Sequence, residues 1–302
     1  MLSVPKTSPR WPTTSISEVC RLDNNHQDEV LQFLGTRPLH TFIMSSWIRD
    51  NGLESPFNRG SFFGSRTQKG TLEGVALIGH ITLFETESNQ ALGNFARLTR
   101  ECPDAHTVLG RAERVDRFLD YYARGPVQPR LVCYELLFQK KAVANVEGRA
   151  PLRQAVADDL EMIVPTHALT AFEESGVNPL AKDPERFHER CARRVEQGRV
   201  WVVTDNHKLK FKADVVSETP DVVYLEGVYV SPDHRGNGYG AQCLAQLTNQ
   251  LLDRTKSVCL LVNQANAAAQ ACYKKAGFEF REYYDTLYLQ QTEANDEEEE
   301  EQ

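Results

Sequence analysis

The sequence predicts an α/β fold of the mixed-sheet, α+β kind, arranged in two consecutive halves. Three observations carry this. Runs rich in β-branched and aromatic residues alternate with amphipathic stretches along most of the chain. Its 302 residues exceed the ~100–150 usual for one domain. The periodic patterns stop across the polar stretch 139–151, which holds Lys140, Lys141, Gly148 and Pro151, and resume after it. With 41% hydrophobic and 25% charged residues the composition is that of an ordinary globular protein.

Taken in order, residues 1–17 hold three prolines and many hydroxyl residues, the composition of a flexible leader. A first unit, 18–145, shows helical patterns near 28–34 and 39–50 and strand patterns at 60–64, 72–78 and 80–84. A helix near 90–100, a short strand at 107–109, a helix at 113–123 and a strand at 131–138 complete it. A second unit, 152–290, opens with a helix reaching about residue 174 and capped by Asp158 or Asp159. Asp183-Pro184 then sets a capping carboxylate before a proline suited to the first helical position, and Gly198 ends that helix. Three strands at 199–204, 208–216 and 222–230, turned by Asp-Asn and Thr-Pro-Asp, read as an antiparallel meander. After them come a glycine-rich loop, a helix at 240–254, a strand at 258–262, a helix at 266–276 and a final pair of strands near 278–280 and 286–289.

The net charge of -8 includes seven carboxylates between Glu293 and Glu301, so 291–302 reads as a solvated acidic tail on a nearly neutral body. That balance argues against generic nucleic-acid binding. The seven cysteines are scattered, with no C-x-x-C pair and no His cluster at ligand spacing; no metal site is expected, and a reducing cytoplasm fits. Prolines interrupt the N-terminal apolar run, so no signal peptide is visible, and no stretch nears the ~20 apolar residues of a membrane span.

The chemistry lies in the loop SPDHRGNGYG, residues 231–240. Its three glycines sit between an apolar strand and a helix whose Leu244, Leu247, Leu251 and Leu252 recur at helical spacing. Glycines let successive N–H groups turn toward one concavity, and the helix N-terminus adds about half a positive charge, so a diphosphate can be held largely by main chain. Arg235 supplies a full charge at the rim. The pattern R-x-x-G-x-G is neither a Walker loop, which needs Gly-Lys-Ser/Thr, nor a G-x-G-x-x-G dinucleotide fingerprint.

The segment VYVSPDHRGNGYG resembles the acetyl-CoA-binding motif of GNAT acetyltransferases, usually L-x-V-x-P-x-x-R-G-x-G-x-G. VCLLVNQANAAAQACYKKAGF is similar to the family's second motif: a strand, an Asn, and a helix bearing a Tyr before Gly-Phe. The resemblance covers about 152–290. The first half is similar to the degenerate GNAT-like N-terminal domain of two-part proteins of this family; it lacks the loop, so CoA is not expected there. The FEESGVNPL and FKADV segments of the second half also resemble that group of proteins.

The resemblance implies two tandem GNAT-like halves and an N-acetyltransferase that moves an acetyl group from acetyl-CoA to a primary amine by direct attack. Arg235, Gly236, Asn237, Gly238, Tyr239 and Gly240 would hold the diphosphate. Val228, Tyr229 and Val230, on a strand that splays in the family, would bind the acetyl carbonyl and the pantetheine arm through their backbone. Asn266 would touch CoA, with helix N-cap as its plain reading. Tyr273 would protonate the leaving thiolate, the alternative being a core aromatic beside Phe278. Glu226 is the nearest carboxylate that could serve as base, although family members more often carry one at the position of Tyr224. Glu173 and Glu174 would suit a cationic amine, or else be a solvated helix end. Cys272 has no His-Asp partner to make it a nucleophile, and His234 reads as a loop residue.

Two other functions stay open: a CoA-responsive sensor without turnover, and aminoacyl-tRNA-dependent transfer, against which the intact loop and the lack of a basic stripe count. The acceptor, the acyl length and the oligomeric state, for which a homodimer is one option, have no motif.

Overall fold

The computed structural model describes residues 19–123, 129–145 and 150–289. The leader and acidic tail expected at 1–17 and 291–302, and Gly148 of the expected linker, lie outside the described residues.

Apart from one short extra helix in the second, the two halves lay down the same series of helices and strands. The first consists of β1 (Val19–Arg21), α1 (Gln27–Leu34), α2 (Pro38–Asn51), β2 (Gly60–Arg66), β3 (Leu72–Gly79), β4 (Ile81–Thr86), α3 (Asn89–Glu101), β5 (Thr107–Arg111), α4 (Ala112–Tyr122) and β6 (Leu131–Lys140). The second consists of β7 (Arg153–Gln154), α5 (Leu160–Ser175), the short α6 (Pro179–Lys182), α7 (Pro184–Glu196), β8 (Val200–Asp205), β9 (Lys208–Glu218), β10 (Val223–Val230), α8 (Tyr239–Leu252), β11 (Val258–Asn263), α9 (Ala267–Lys275) and β12 (Glu279–Tyr288).

The twelve strands of the described residues form one sheet, in the order β1-β2-β3-β4-β5-β12-β6-β11-β10-β9-β8-β7. Strands β4 and β5 are parallel, as are β10 and β11, and the other neighbours are antiparallel. The order reads as two five-strand series running inward from opposite edges, with the last strand of each half crossing to the other. Thus β12 pairs with β5, and β6 pairs with β11 from Val258↔Lys140 to Asn263↔Glu135.

The halves also share a core. On one face, Leu244, Leu247 and Leu251 of α8 pack on Leu225, Leu260 and, from the first half, Phe138; the helical stripe seen in the sequence is the buried face. Fully burying each such leucine contributes ~1.5–3 kcal/mol. On the other face, Phe42 of α2 packs against Tyr224 of β10 in a tilted arrangement, 4.7 Å between centroids, and Ser217 donates to the Phe42 carbonyl at 2.7 Å.

Local signals behave as their chemistry requires. Asp183 caps α7, accepting from Arg186 N at 3.0 Å, and Gly198 follows that helix with φ +66°. The turn between β8 and β9 puts Asn206 and His207 at φ 47° and 56°, the left-handed pair a tight hairpin needs.

Several expectations are corrected. The final pair of strands is one strand, β12, with a register shift between Phe280 and Glu282; that irregularity, beside the exposed Arg281, breaks the apolar alternation. Gln139 and Lys140 do not open a linker but end β6, buried, because their polar groups find partners: Gln139 Nε2 donates to Ser257 Oγ at 3.0 Å and Lys140 Nζ to Thr248 Oγ1 at 2.8 Å. Asp159 does not cap α5 with its side chain; it accepts from Val156 N and pairs with Arg153 at 2.7 Å.

Candidate active site

The slot is made where β10 and β11 part. Their parallel pairing ends at Leu225↔Leu260, although β10 continues to Val230 and β11 to Asn263. Val228, Tyr229 and Val230 lie on that released segment, half-buried. On its other side β10 carries a bulge, for Glu226 faces Asp214 but Tyr229 faces Lys212. An extra residue in one strand bends it and strengthens its twist, which turns β10 away from β11. Gly227, inside the bulge, has φ +56°.

Beyond β10 the glycine-rich loop forms a cradle at the start of α8. Gly236 and Gly238 have φ +81° and +87°, a conformation that costs other residues ~1–2 kcal/mol. Gly238 is the helix cap and offers no side chain, so the first-turn amides are left for a ligand, apart from Tyr239 N, which Asn237 Oδ1 accepts at 3.0 Å. Gly240 is required for packing: a Cβ there would lie 2.6 Å from Val230 Cγ2 and 3.4 Å from Cys272 Sγ. Arg235 folds back along β10, its Nε donating to the Val230 carbonyl at 2.9 Å. His234 is a loop residue, paired with Ser231 Oγ at 2.8 Å.

A second cation stands at the cradle that the sequence reading missed. Lys275 at the end of α9 lies over Gly238, where a Cβ would come within 2.5 Å of its Nζ. It stands next to the Tyr273 motif but has no spacing rule of its own. Asn266 caps α9, accepting from Ala269 N at 3.0 Å. Tyr273, buried, packs against Phe138 and Phe278 at 6.5 and 6.3 Å between centroids. Burial, then Cys272 and Glu174, raises its hydroxyl pKa above the ordinary 10.0, so the phenol keeps its proton at neutral pH. Cys272 is also raised by burial.

Carboxylates gather at the other end of the slot. Glu226 is exposed on β10. Glu173 and Glu174 sit in the last turn of α5, which is held to β6 by Arg130 donating to the Ser175 carbonyl at 3.2 Å and Cys133 Sγ to the Glu174 carbonyl at 3.9 Å. Glu135 of β6 projects from the same face of the sheet as Cys133. The pKa of Glu135 is raised to about 7, by burial first and then by Glu226 and Asp285, against the hydrogen bond from Thr286. Glu174 is exposed at the helix end, as is Glu173, yet the protein atoms crowded around its carboxyl, then Glu226 and Glu135, raise its pKa to about 7, with Lys212 opposing. Glu135 was not legible in the sequence, since it is a lone acid in the strand VCYELLF of the other half. Tyr224, where the family more often has its base, is buried against Phe42, and burial first, then Glu226, raises its hydroxyl pKa.

The first half builds no such cradle. Its β4 passes into α3 through Glu87 and Ser88, whose hydroxyl caps the helix by accepting from Ala91 N at 3.2 Å. Its β4 and β5 also part, beyond Leu83↔Leu109, around a cavity lined by Glu85, Gly110 and Arg111, where Arg37 and Arg111 pair with Glu85 and Glu87.

This fold, with this loop opening on parted strands, defines an acyltransferase. Residues 172–278 match the family model described as Acetyltransferase (GNAT) family. The second half of the chain therefore carries a domain of the GNAT acetyltransferase family. The search of curated proteins finds no match. Among solved structures, the chain is similar to a GNAT-family acetyltransferase from Colwellia psychrerythraea, with 14% identity, TM-score 0.55, and 90% of this chain and 100% of that one covered. A Drosophila protein aligns with 13% identity and TM-score 0.62 over 90% of this chain and 98% of its own. A tandem GNAT protein from the clavulanic acid biosynthesis pathway aligns with 12% identity and TM-score 0.54 over 89% and 97%. These likenesses show a shared fold that runs through both halves.

Proposed function

We propose that the protein transfers an acyl group, with acetyl as the reference, from acyl-CoA to a primary amine by direct attack in a ternary complex. What supports this reading is the order of the parts: the cradle at 236–240 follows the free edge of β10 at 228–230, and Glu226 stands on the same strand, near enough to Glu174 and Glu135 to raise their carboxyl pKa values. The residues present fit CoA, for uncapped amides of α8 and the Lys275 ammonium suit a diphosphate. Bound there, acyl-CoA supplies the activated thioester.

The chain supplies the rest. The backbone at 228–230, released from β11, has polar groups for the pantetheine arm and for a developing oxyanion. Glu226, directly or through water, takes the proton of the attacking amine, and Tyr273 gives one to the departing thiolate. Glu173 and Glu174 at the mouth, joined by Glu135, favour an amine that arrives as a cation. All seven cysteines are free thiols, which supports a reducing, cytoplasmic setting. No helix among the described residues is long and apolar enough to cross a membrane. The two partners are acyl-CoA and an amine.

The test is thiol release from acetyl-CoA against a panel of polyamines, amino acids, small amines and N-terminal peptides, with acetyl-CoA binding measured by calorimetry. Release with a cationic amine supports the reading. Silence across the panel with CoA still bound would favour a sensor instead.

A further inference from the structure

Behind the open edge of β10 lies a buried group of charges that the transfer chemistry does not use. Lys212 and Asp214, at alternate positions of β9 and so on one face, are each 1% exposed, with Nζ 2.7 Å from Oδ2. His167 of α5 places Nδ1 3.2 Å from the same oxygen, and Arg194 of α7 places Nη1 3.6 Å from it. Asp214 Oδ1 has no hydrogen-bond partner among the described residues. Burial alone would raise the Asp214 carboxyl, but Lys212 and His167 outweigh it and hold it below the usual carboxylate range. Burial lowers the His167 imidazole pKa, against its hydrogen bond to Asp214.

A buried ion pair adds little net stability, because desolvation offsets its attraction, and apolar residues of similar size often do as well. Its position is what distinguishes this one. Lys212 and Asp214 are the β9 residues on either side of the β10 bulge, facing Tyr229 and Glu226. Lys212 Nζ donates to the Gly227 carbonyl at 3.4 Å. A Cβ on Gly227 would stand 3.0 Å from Nζ and 3.2 Å from Asp214 Oδ2, so the bulged backbone lies directly on the pair.

We infer that the Lys212–Asp214 pair is the positioning device of the slot: it fills the gap that the extra residue opens between β9 and β10 and holds Gly227 in its left-handed conformation. It thereby sets how far β10 stands from β11 and where Glu226 and the backbone at 228–230 are aimed. The inference rests on the reading of the slot as an acyl-transfer site. Lys212 and Asp214 are positioning residues, acting on the reacting groups through the bulge.

The experiment replaces the pair by apolar residues, Lys212→Met together with Asp214→Leu, in the full chain, so that neither charge is left buried alone. Melting temperature, acetyl-CoA affinity, thiol-release kinetics and the Gly227 amide resonance are measured side by side. The double variant is expected to melt within a few degrees of wild type and to bind acetyl-CoA within about twofold, its cradle being untouched, while kcat falls at least ~10-fold and the Gly227 resonance moves. Lys212→Arg, which keeps the ion pair, recovers most of kcat. Wild-type kcat in the folded double variant overturns the inference, and so does a parallel fall of melting temperature, affinity and kcat. If the wild-type protein releases no thiol with any amine, the transfer reading fails, yet the Gly227 resonance still decides: displaced in the double variant it upholds the device, unmoved it overturns it.

Discussion

Asn263 of β11 stands directly across from Glu135 of β6. A carboxylate from the first half is thereby one strand spacing, ~4.8 Å, from the strand that walls the slot of the second. The exchange of β6 and β12 is what brings it there, so the half without a cradle still furnishes a wall of the site.

Glu135 makes stability depend on pH. Its pKa is raised from 4.5 to about 7 in the folded chain, chiefly by burial. A carboxyl raised in this way favours folding below its unfolded value, and the contribution is lost as pH rises through about 7. Glu135→Gln should therefore melt higher than wild type at pH 8, by the equivalent of about 1–2 kcal/mol after allowance for partial water access, and the difference should close toward pH 4.5. Thermal melts across pH 4.5–8 measure it, and parallel curves would refute the assignment.

Tyr273→Phe removes a hydroxyl and leaves the ring between Phe138 and Phe278. Turnover should fall about 10²-fold, with acetyl-CoA affinity and melting temperature close to wild type. Stopped-flow thiol release and calorimetry separate the two; unaltered turnover would remove Tyr273 as the acid.

Gly240→Ala forces a Cβ to within 2.6 Å of Val230 Cγ2. Overpacking of that kind costs ~1–3 kcal/mol, and it pushes α8 off β10 at the cradle. Chemical denaturation should show the loss, with acetyl-CoA binding weakened in the same variant. Preserved binding at wild-type stability would contradict the packing account.

Lys275→Ala should weaken acetyl-CoA binding roughly 5–10-fold, the scale of one charge-assisted contact, and more at low salt than at high. S-acetylpantetheine, which has no diphosphate, should bind wild type and variant alike. An equal loss for both ligands would place Lys275 away from the diphosphate.

What could be read in the sequence was local. The loop 235–240 and the Asn266–Tyr273 helix are contiguous, and their glycines, caps and apolar stripe are set by neighbours a few residues away, so the cradle and most element boundaries followed. Strands β1 and β7 were missed because three and two residues carry no period. Glu135 and Lys275 were missed for another reason: nothing in VCYELLF or YKKAGF marks a ligand-facing side chain until strand exchange and helix packing place it. Lys212 and Asp214 give the plain alternation of a strand with a polar face, and only the fold buries them together behind Gly227.

Whether acyl transfer is direct is decided by initial-velocity thiol release with acetyl-CoA and an amine both varied. Thiol is expected only when amine is present, with double-reciprocal lines that intersect. A stoichiometric burst of thiol without amine, or parallel lines, would contradict it.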